Sequence, residues 1–120
     1  MGKGKILVVE DESVTREILA DILTDEGYTV STAENGYEAI KKVENGERFD
    51  LCILDIKLPG INGVETLKAI KKIDPKIVAI MMTAYSVEDL IKEAIELGAY
   101  TCIHKPFDTN EVLEVIKKIL

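Results

Sequence analysis

The sequence predicts an α/β fold: a doubly wound, five-stranded parallel sheet of strand order 2-1-3-4-5, with five helices over its faces. Three observations carry that prediction. Short apolar runs alternate with segments of helical spacing, strand then helix, along the whole chain. The runs at 6–9, 51–54 and 77–82 are apolar throughout, as strands covered on both faces are. The 28–32 segment instead alternates apolar and polar residues, which suits an edge strand.

Each element has its own signals. After the 6–9 strand, Val14, Ile18, Leu19, Ile22 and Leu23 form a helical stripe that stops at Gly27. After 28–32, Asn35 with Glu38 opens a helix carrying Ala39, Ile40 and Val43, ended by Gly46. After 51–54, Asn62 with Glu65 opens a third, with Val64, Leu67, Ile70 and Ile73 facing inward and Pro75 beyond its end. After 77–82, Ser86 with Asp89 is expected to cap a helix carrying Leu90, Ile91, Ala94 and Ile95, closed by Gly98. After 100–103, Asp108 with Glu111 opens the last, with Val112, Val115, Ile116 and Ile119.

Composition narrows the function. A chain of 120 residues, 47% hydrophobic and 31% charged, is expected to fold as one domain over 1–120. Fifteen Lys and Arg against 22 Asp and Glu give a net charge of −7, which argues against nucleic acid as a direct partner. Cys52 and Cys102 sit in apolar runs with no metal-ligand spacing and read as core thiols of a reducing, cytoplasmic protein. No apolar run is long enough for a signal peptide or a membrane span, and no GxxxxGK[ST] phosphate loop occurs. No DNA-binding segment is expected after the fifth helix, so contact with another protein is the expected output.

In a parallel sheet all strands end on one edge, and the residues at those ends show the chemistry. The first strand runs into Glu10, Asp11 and Glu12, the third into Asp55, the fourth into Thr83, the fifth into Lys105 and Pro106. With strands one and three adjacent, several carboxylates meet beside a hydroxyl and an ammonium. Taken singly, Glu12, Asp55, Thr83 and Lys105 each read as ordinary loop or surface residues; the set on one edge does not. Crowded carboxylates call for a cation, and magnesium, a hard ion with oxygen ligands, fits. A carboxylate can also be the nucleophile that accepts a phosphoryl group, with magnesium, Lys105 and Thr83 neutralising its oxygens.

The motifs at 6–12, 51–60, 82–84 and 105–107 together resemble the receiver domain of bacterial two-component response regulators, a flavodoxin-like fold, over essentially the whole chain. In the 82–85, 96–99 and 105–108 stretches, with Lys57 two residues after Asp55, the chain is similar to the stand-alone receiver of the sporulation phosphorelay. The resemblance implies that Asp55 is the phosphoacceptor and that Glu10 and Asp11 are the acids at magnesium, with Asp11 the direct ligand. It implies that the Lys57 carbonyl completes the protein's share of the metal shell and that Thr83 and Lys105 contact the phosphoryl group. It implies a cis peptide before Pro106. It also implies a histidine kinase or histidine phosphotransferase as donor, a downstream protein partner, and no enzyme activity beyond self-catalysed phosphorylation and dephosphorylation.

Two positions depart from the pattern. Glu10 stands where Asp is common, and is expected to reach the site through water. Cys102 stands where many receivers carry Tyr or Phe, so any switch has to act through the 83–86 loop. Tyr85 on that loop is placed to gate water access, or to pack as a partly buried loop aromatic. Tyr28 and Tyr37 read as packing residues, and His104 as a strand residue without a catalytic role. Val14, Thr15 and Ile18, beside Pro106 and Phe107, form an apolar patch suited to a helical partner, with Ile18 also readable as core. Two other classes fit the residues less well. An aspartyl-phosphate hydrolase would want an acid where Lys57 stands, and a flavodoxin-like binding module would not put Glu10, Asp11 and Glu12 in its phosphate loop.

Overall fold

The structure, a computed structural model, describes residues 3–120. Strands β1 (Lys5–Val9), β2 (Thr29–Ala33), β3 (Leu51–Asp55), β4 (Val78–Thr83) and β5 (Thr101–His104) alternate with helices α1 (Ser13–Asp25), α2 (Gly36–Glu44), α3 (Gly63–Ile73), α4 (Glu88–Glu96) and α5 (Thr109–Ile119). The sheet is parallel, in the order β2-β1-β3-β4-β5. The expected architecture is the observed one, with strand limits shifted by about one residue.

Why these strands are apolar throughout is visible in the packing. Side chains alternate between sheet faces, so a central strand feeds two cores. Leu7, Val9, Cys52, Leu54, Ala79 and Met81 meet α2, α3 and α4 on one face. Ile6, Val8, Leu51, Ile53, Ile80 and Met82 meet α1 and α5 on the other. β2 lies at an edge, where it runs from the exposed Thr29 through three half-buried residues to the buried Ala33.

Three of the four expected N-caps stand where the sequence puts them, one of them in a complete capping box. Asn62 and Glu65 form a complete capping box: Asn62 Oδ1 accepts the Glu65 N–H at 2.9 Å, and Glu65 Oε1 accepts the Asn62 N–H at 3.0 Å. Asn35 accepts the Glu38 N–H, but the Glu38 carboxylate turns back to the Glu34 N–H, so that box stays open. Asp108 caps through Asn110 rather than Glu111. Ser86 does not cap α4. The N-cap is Val87, without a side-chain bond, because Val87 is packed against the core and starts the helix one residue later, leaving Ser86 exposed. Gly27, Gly46 and Gly98 close α1, α2 and α4 at positive φ, the conformation that glycine adopts without strain. Among the described residues no helix is long and apolar enough to cross a membrane.

Gly63 fixes how α3 meets the end of β3. A Cβ there would lie 2.2 Å from the Asp55 carbonyl oxygen, and the Gly63 N–H donates to the Ile56 carbonyl at 2.8 Å. Only a residue without a side chain lets α3 begin this close to Asp55.

Candidate functional site

β1 and β3 are neighbours, and the chain turns away from both at the same edge. Glu10 leaves β1 with its N–H on the Ala33 carbonyl at 3.1 Å, and its side chain is only 2% exposed. Asp55 ends β3 and is also buried, whereas Asp11 is exposed. One carboxylate oxygen from each of Glu10, Asp11 and Asp55 lies within 4.8 Å of the other two.

Lys105 reaches this group from the far side of the sheet. Its N–H donates to the Thr83 carbonyl at 2.8 Å, and the Lys105–Pro106 peptide is cis, as expected. Its ammonium donates to Asp55 Oδ2 at 2.8 Å and to Glu10 Oε1. The remaining oxygens are held by backbone: Glu10 Oε2 accepts the Glu12 N–H at 3.1 Å, and Asp55 Oδ1 accepts the Lys57 N–H at 3.0 Å. Glu10 thus meets the crevice through a direct ion pair with Lys105.

The charges here do not balance. Three carboxylates against one ammonium leave a formal surplus of two negative charges. Burial pushes the Glu10 carboxyl up to about 7, and the Asp55 charge adds to that, against the pull of Lys105 and the Glu12 N–H. Burial works to lower the Lys105 pKa, but its hydrogen bonds to Asp55 and Glu10 prevail and hold it above the ordinary value. Lys105 is therefore a fixed cation, and Glu10 is the group that yields.

A cavity of about 310 Å³ opens over these residues, lined by Asp11, Glu12, Asp55, Lys57, Ala84, Tyr85 and Lys105. Thr83 is absent from its lining. Fully buried, its hydroxyl accepts the Tyr85 N–H at 3.0 Å and lies 3.2 Å from the Tyr85 carbonyl, to which it donates. So the structure gathers Glu10, Asp11, Asp55, Lys57 and Lys105 at one point and holds the Thr83 hydroxyl in its own loop. Tyr85 is exposed, its ring 5.9 Å from the Lys57 ammonium, which excludes the buried packing role.

Cys102 is half-buried beside the core and Cys52 wholly buried; burial raises both thiols, that of Cys52 to about 12. Tyr28 is buried as expected, whereas Tyr37 is exposed and lies over Gly60. His104 is exposed at the end of β5. Val14 is 67% and Ile18 47% exposed, so Ile18 is not plain core. One further contributor, Arg16, has no motif in the sequence to mark it. Arg16 donates to the carbonyls of Glu10 and Asp11 from one nitrogen, at 2.8 and 3.3 Å. An arginine in the first turns of a helix reads as surface charge, and only its spacing after Asp11 places it back over the loop.

A doubly wound sheet with buried acids and one lysine at its switch point defines a phosphoacceptor of two-component signalling. The sequence model of the response regulator receiver domain matches residues 6–117, and the chain belongs to that family. It is 46% identical over 120 residues to sporulation initiation phosphotransferase F of Bacillus subtilis, covering 100% of this chain and 96% of that protein. A receiver domain protein from Methanospirillum hungatei superposes with a TM-score of 0.91 at 35% identity, over 95% of this chain and 90% of that one. The response regulator TrrA of Thermotoga maritima, solved in complex with Mg(2+)-BeF, superposes with a TM-score of 0.84 at 43% identity, over 97% and 98%.

Proposed function

We propose that residues 1–120 act as one receiver domain in which Asp55 accepts a phosphoryl group from a phosphohistidine on a histidine kinase or histidine phosphotransferase. The observation that carries this is the Lys105 ammonium shared between Asp55 and Glu10 at the mouth of an acid-lined cavity. Both Asp55 oxygens are held, by Lys105 and by the Lys57 N–H, so the carboxylate is oriented before a donor arrives. An Asp55 oxygen bonds to phosphorus as the bond from phosphorus to the donor imidazole nitrogen breaks. The electron pair leaves with the imidazole, which takes a proton from solvent. Lys105 then offers its N–H donors to the phosphoryl oxygens, and Thr83 joins it once its hydroxyl leaves Tyr85. Hydrolysis of the acyl phosphate by water returns Asp55 and inorganic phosphate and so resets the domain.

The donor set fits magnesium: three hard carboxylate oxygens with a surplus of two negative charges. Asp11, Asp55 and the Lys57 carbonyl would hold the ion, with Glu10 beside it. When bound it neutralises the phosphoryl oxygens. A cavity of about 370 Å³ lined by Glu12, Thr15, Ala84, Lys105, Pro106 and Phe107, with Val14 and Ile18 exposed on the helix that supplies Thr15, suits a helix of the donor or of a downstream protein partner. Lys57 stands where a hydrolase would need its general acid, which disfavours that alternative.

The test is labelling by acetyl phosphate. Wild-type protein should take up phosphate in the presence of magnesium and lose that ability with chelator. Asp55→Asn should abolish labelling with the far-UV spectrum unchanged, because Asp55 sits at the sheet edge. Undiminished labelling of Asp55→Asn would sink the assignment, and equal labelling with and without chelator would remove the metal from it.

A further inference from the structure

Side chains of consecutive residues in a strand face opposite ways, and so do their carbonyls. Glu10 and Asp11, just past the end of β1, have left that alternation: their carboxylate oxygens come within 4.8 Å of each other, and both carbonyls converge on one nitrogen of Arg16. The turn that gathers the two acids is thus the turn whose carbonyls Arg16 holds. The guanidinium is well placed for this. Its other terminal nitrogen pairs with Glu34 at 3.3 Å, just beyond β2, and the side chain is only 15% exposed. The Arg16 backbone N–H returns to the Glu12 carbonyl at 2.9 Å, so the first turn of α1 closes over the same loop.

We propose that Arg16 is a positioning residue for the magnesium site, locking the 10–12 turn so that Glu10 and Asp11 face the same crevice. This rests on the reading of these acids as the metal site. Arg16 touches neither the reacting atoms nor the carboxylates of Glu10 and Asp11; it acts through their backbone. Charge and geometry predict opposite signs here. By charge alone, removing a cation near the site would tighten binding of a dication. Loss of the lock would loosen it, by about tenfold on the scale of partners that orient metal ligands.

The experiment is a magnesium chloride titration at constant ionic strength, followed by the amide resonances of Glu12 and Lys57. Arg16→Met keeps the apolar stem and removes the fork, Arg16→Lys keeps the charge but cannot span both carbonyls and Glu34, and Glu34→Gln removes only the outer ion pair. Arg16→Met and Arg16→Lys should bind magnesium about tenfold more weakly, with metal-free melting temperatures close to wild type. Glu34→Gln should stay within about twofold. Labelling of Arg16→Lys by acetyl phosphate should recover as magnesium is raised to saturation. Should Arg16→Met not fold, Arg16→Lys carries the test alone. Wild-type or tighter affinity in Arg16→Lys, or a labelling deficit that persists at saturation, overturns the proposal. A wild-type protein that binds no magnesium overturns the metal reading and this inference together, whereas wild-type binding indifferent to Arg16 overturns only the inference.

Discussion

Helices α3 and α4 flank the same edge of the sheet and are held very differently. α3 starts from a complete capping box, is pressed onto the Asp55 carbonyl through Gly63, and buries Gly63, Val64, Thr66, Leu67 and Ile70. α4 starts from Val87 without a side-chain cap and buries only Ala94. The loop before it, with Ala84, Tyr85 and Ser86 exposed, hangs on the Thr83 hydroxyl's contacts with Tyr85. The side that carries Asp55, the proposed acceptor, is therefore firmly held, and the side proposed to report its phosphorylation is not. Segments with few buried contacts are those that shift at low cost.

The sharpest way to break this contrast is to load the site. Beryllofluoride with magnesium should move the amide resonances of 83–90 most, with α3 beyond its first turn nearly unchanged. Lys105→Ala should still accept phosphate slowly but lose most of that loop response. A response that survives the substitution, or one centred on α2, would refute transmission through Thr83. The coupling free energy at stake is about 1–3 kcal/mol, enough to bias an existing equilibrium without rebuilding the fold.

A smaller effect tests the strain on the rigid side. Glu10 binds its proton more tightly folded than unfolded. Between its ordinary 4.5 and about 7 the native state therefore holds more protons, and metal-free stability should fall as pH rises through that window. Glu10→Gln should flatten the slope and raise metal-free stability at pH 8 by about 2 kcal/mol, since Lys105 keeps Asp55 as partner. Urea unfolding in chelator from pH 4.5 to 8 measures both; a wild-type stability that climbs across this range contradicts the assignment to Glu10.

The smallest effect compares the two helix starts directly. Asn62→Ala removes a working cap and should cost about 1 kcal/mol. Ser86→Ala removes an exposed hydroxyl that caps nothing and should stay within about 0.5 kcal/mol. Equal losses in denaturant unfolding would mean that α4 is capped after all.

These contrasts also mark what the sequence could disclose. The sheet order was legible because a strand feeding two cores has to be apolar throughout, while β2, at an edge, does not. Asp11, Asp55 and Lys105 were legible because parallel topology brings strand ends together whatever the side-chain rotamers. The start of α4 was not, since Ser86 and Asp89 have the spacing of a cap but Val87's burial decides where the helix begins. Nor was the state of Thr83, whose hydroxyl bonds to its own loop through a two-residue turn that leaves no pattern. Arg16 escaped because its partners are main-chain carbonyls, which every residue type supplies.

The contact between Gly63 and the Asp55 carbonyl has a consequence for anyone diversifying this molecule. With 2.2 Å between a would-be Cβ and a main-chain oxygen, and no flexible side chain to yield, position 63 admits no substituent without displacing the backbone of Asp55 itself. A library spanning the β3–α3 connection has freedom at the exposed Lys57 and Pro59, where new specificities can be sought. At 63 it has a single letter, and any clone that changes it has moved Asp55 along with the helix.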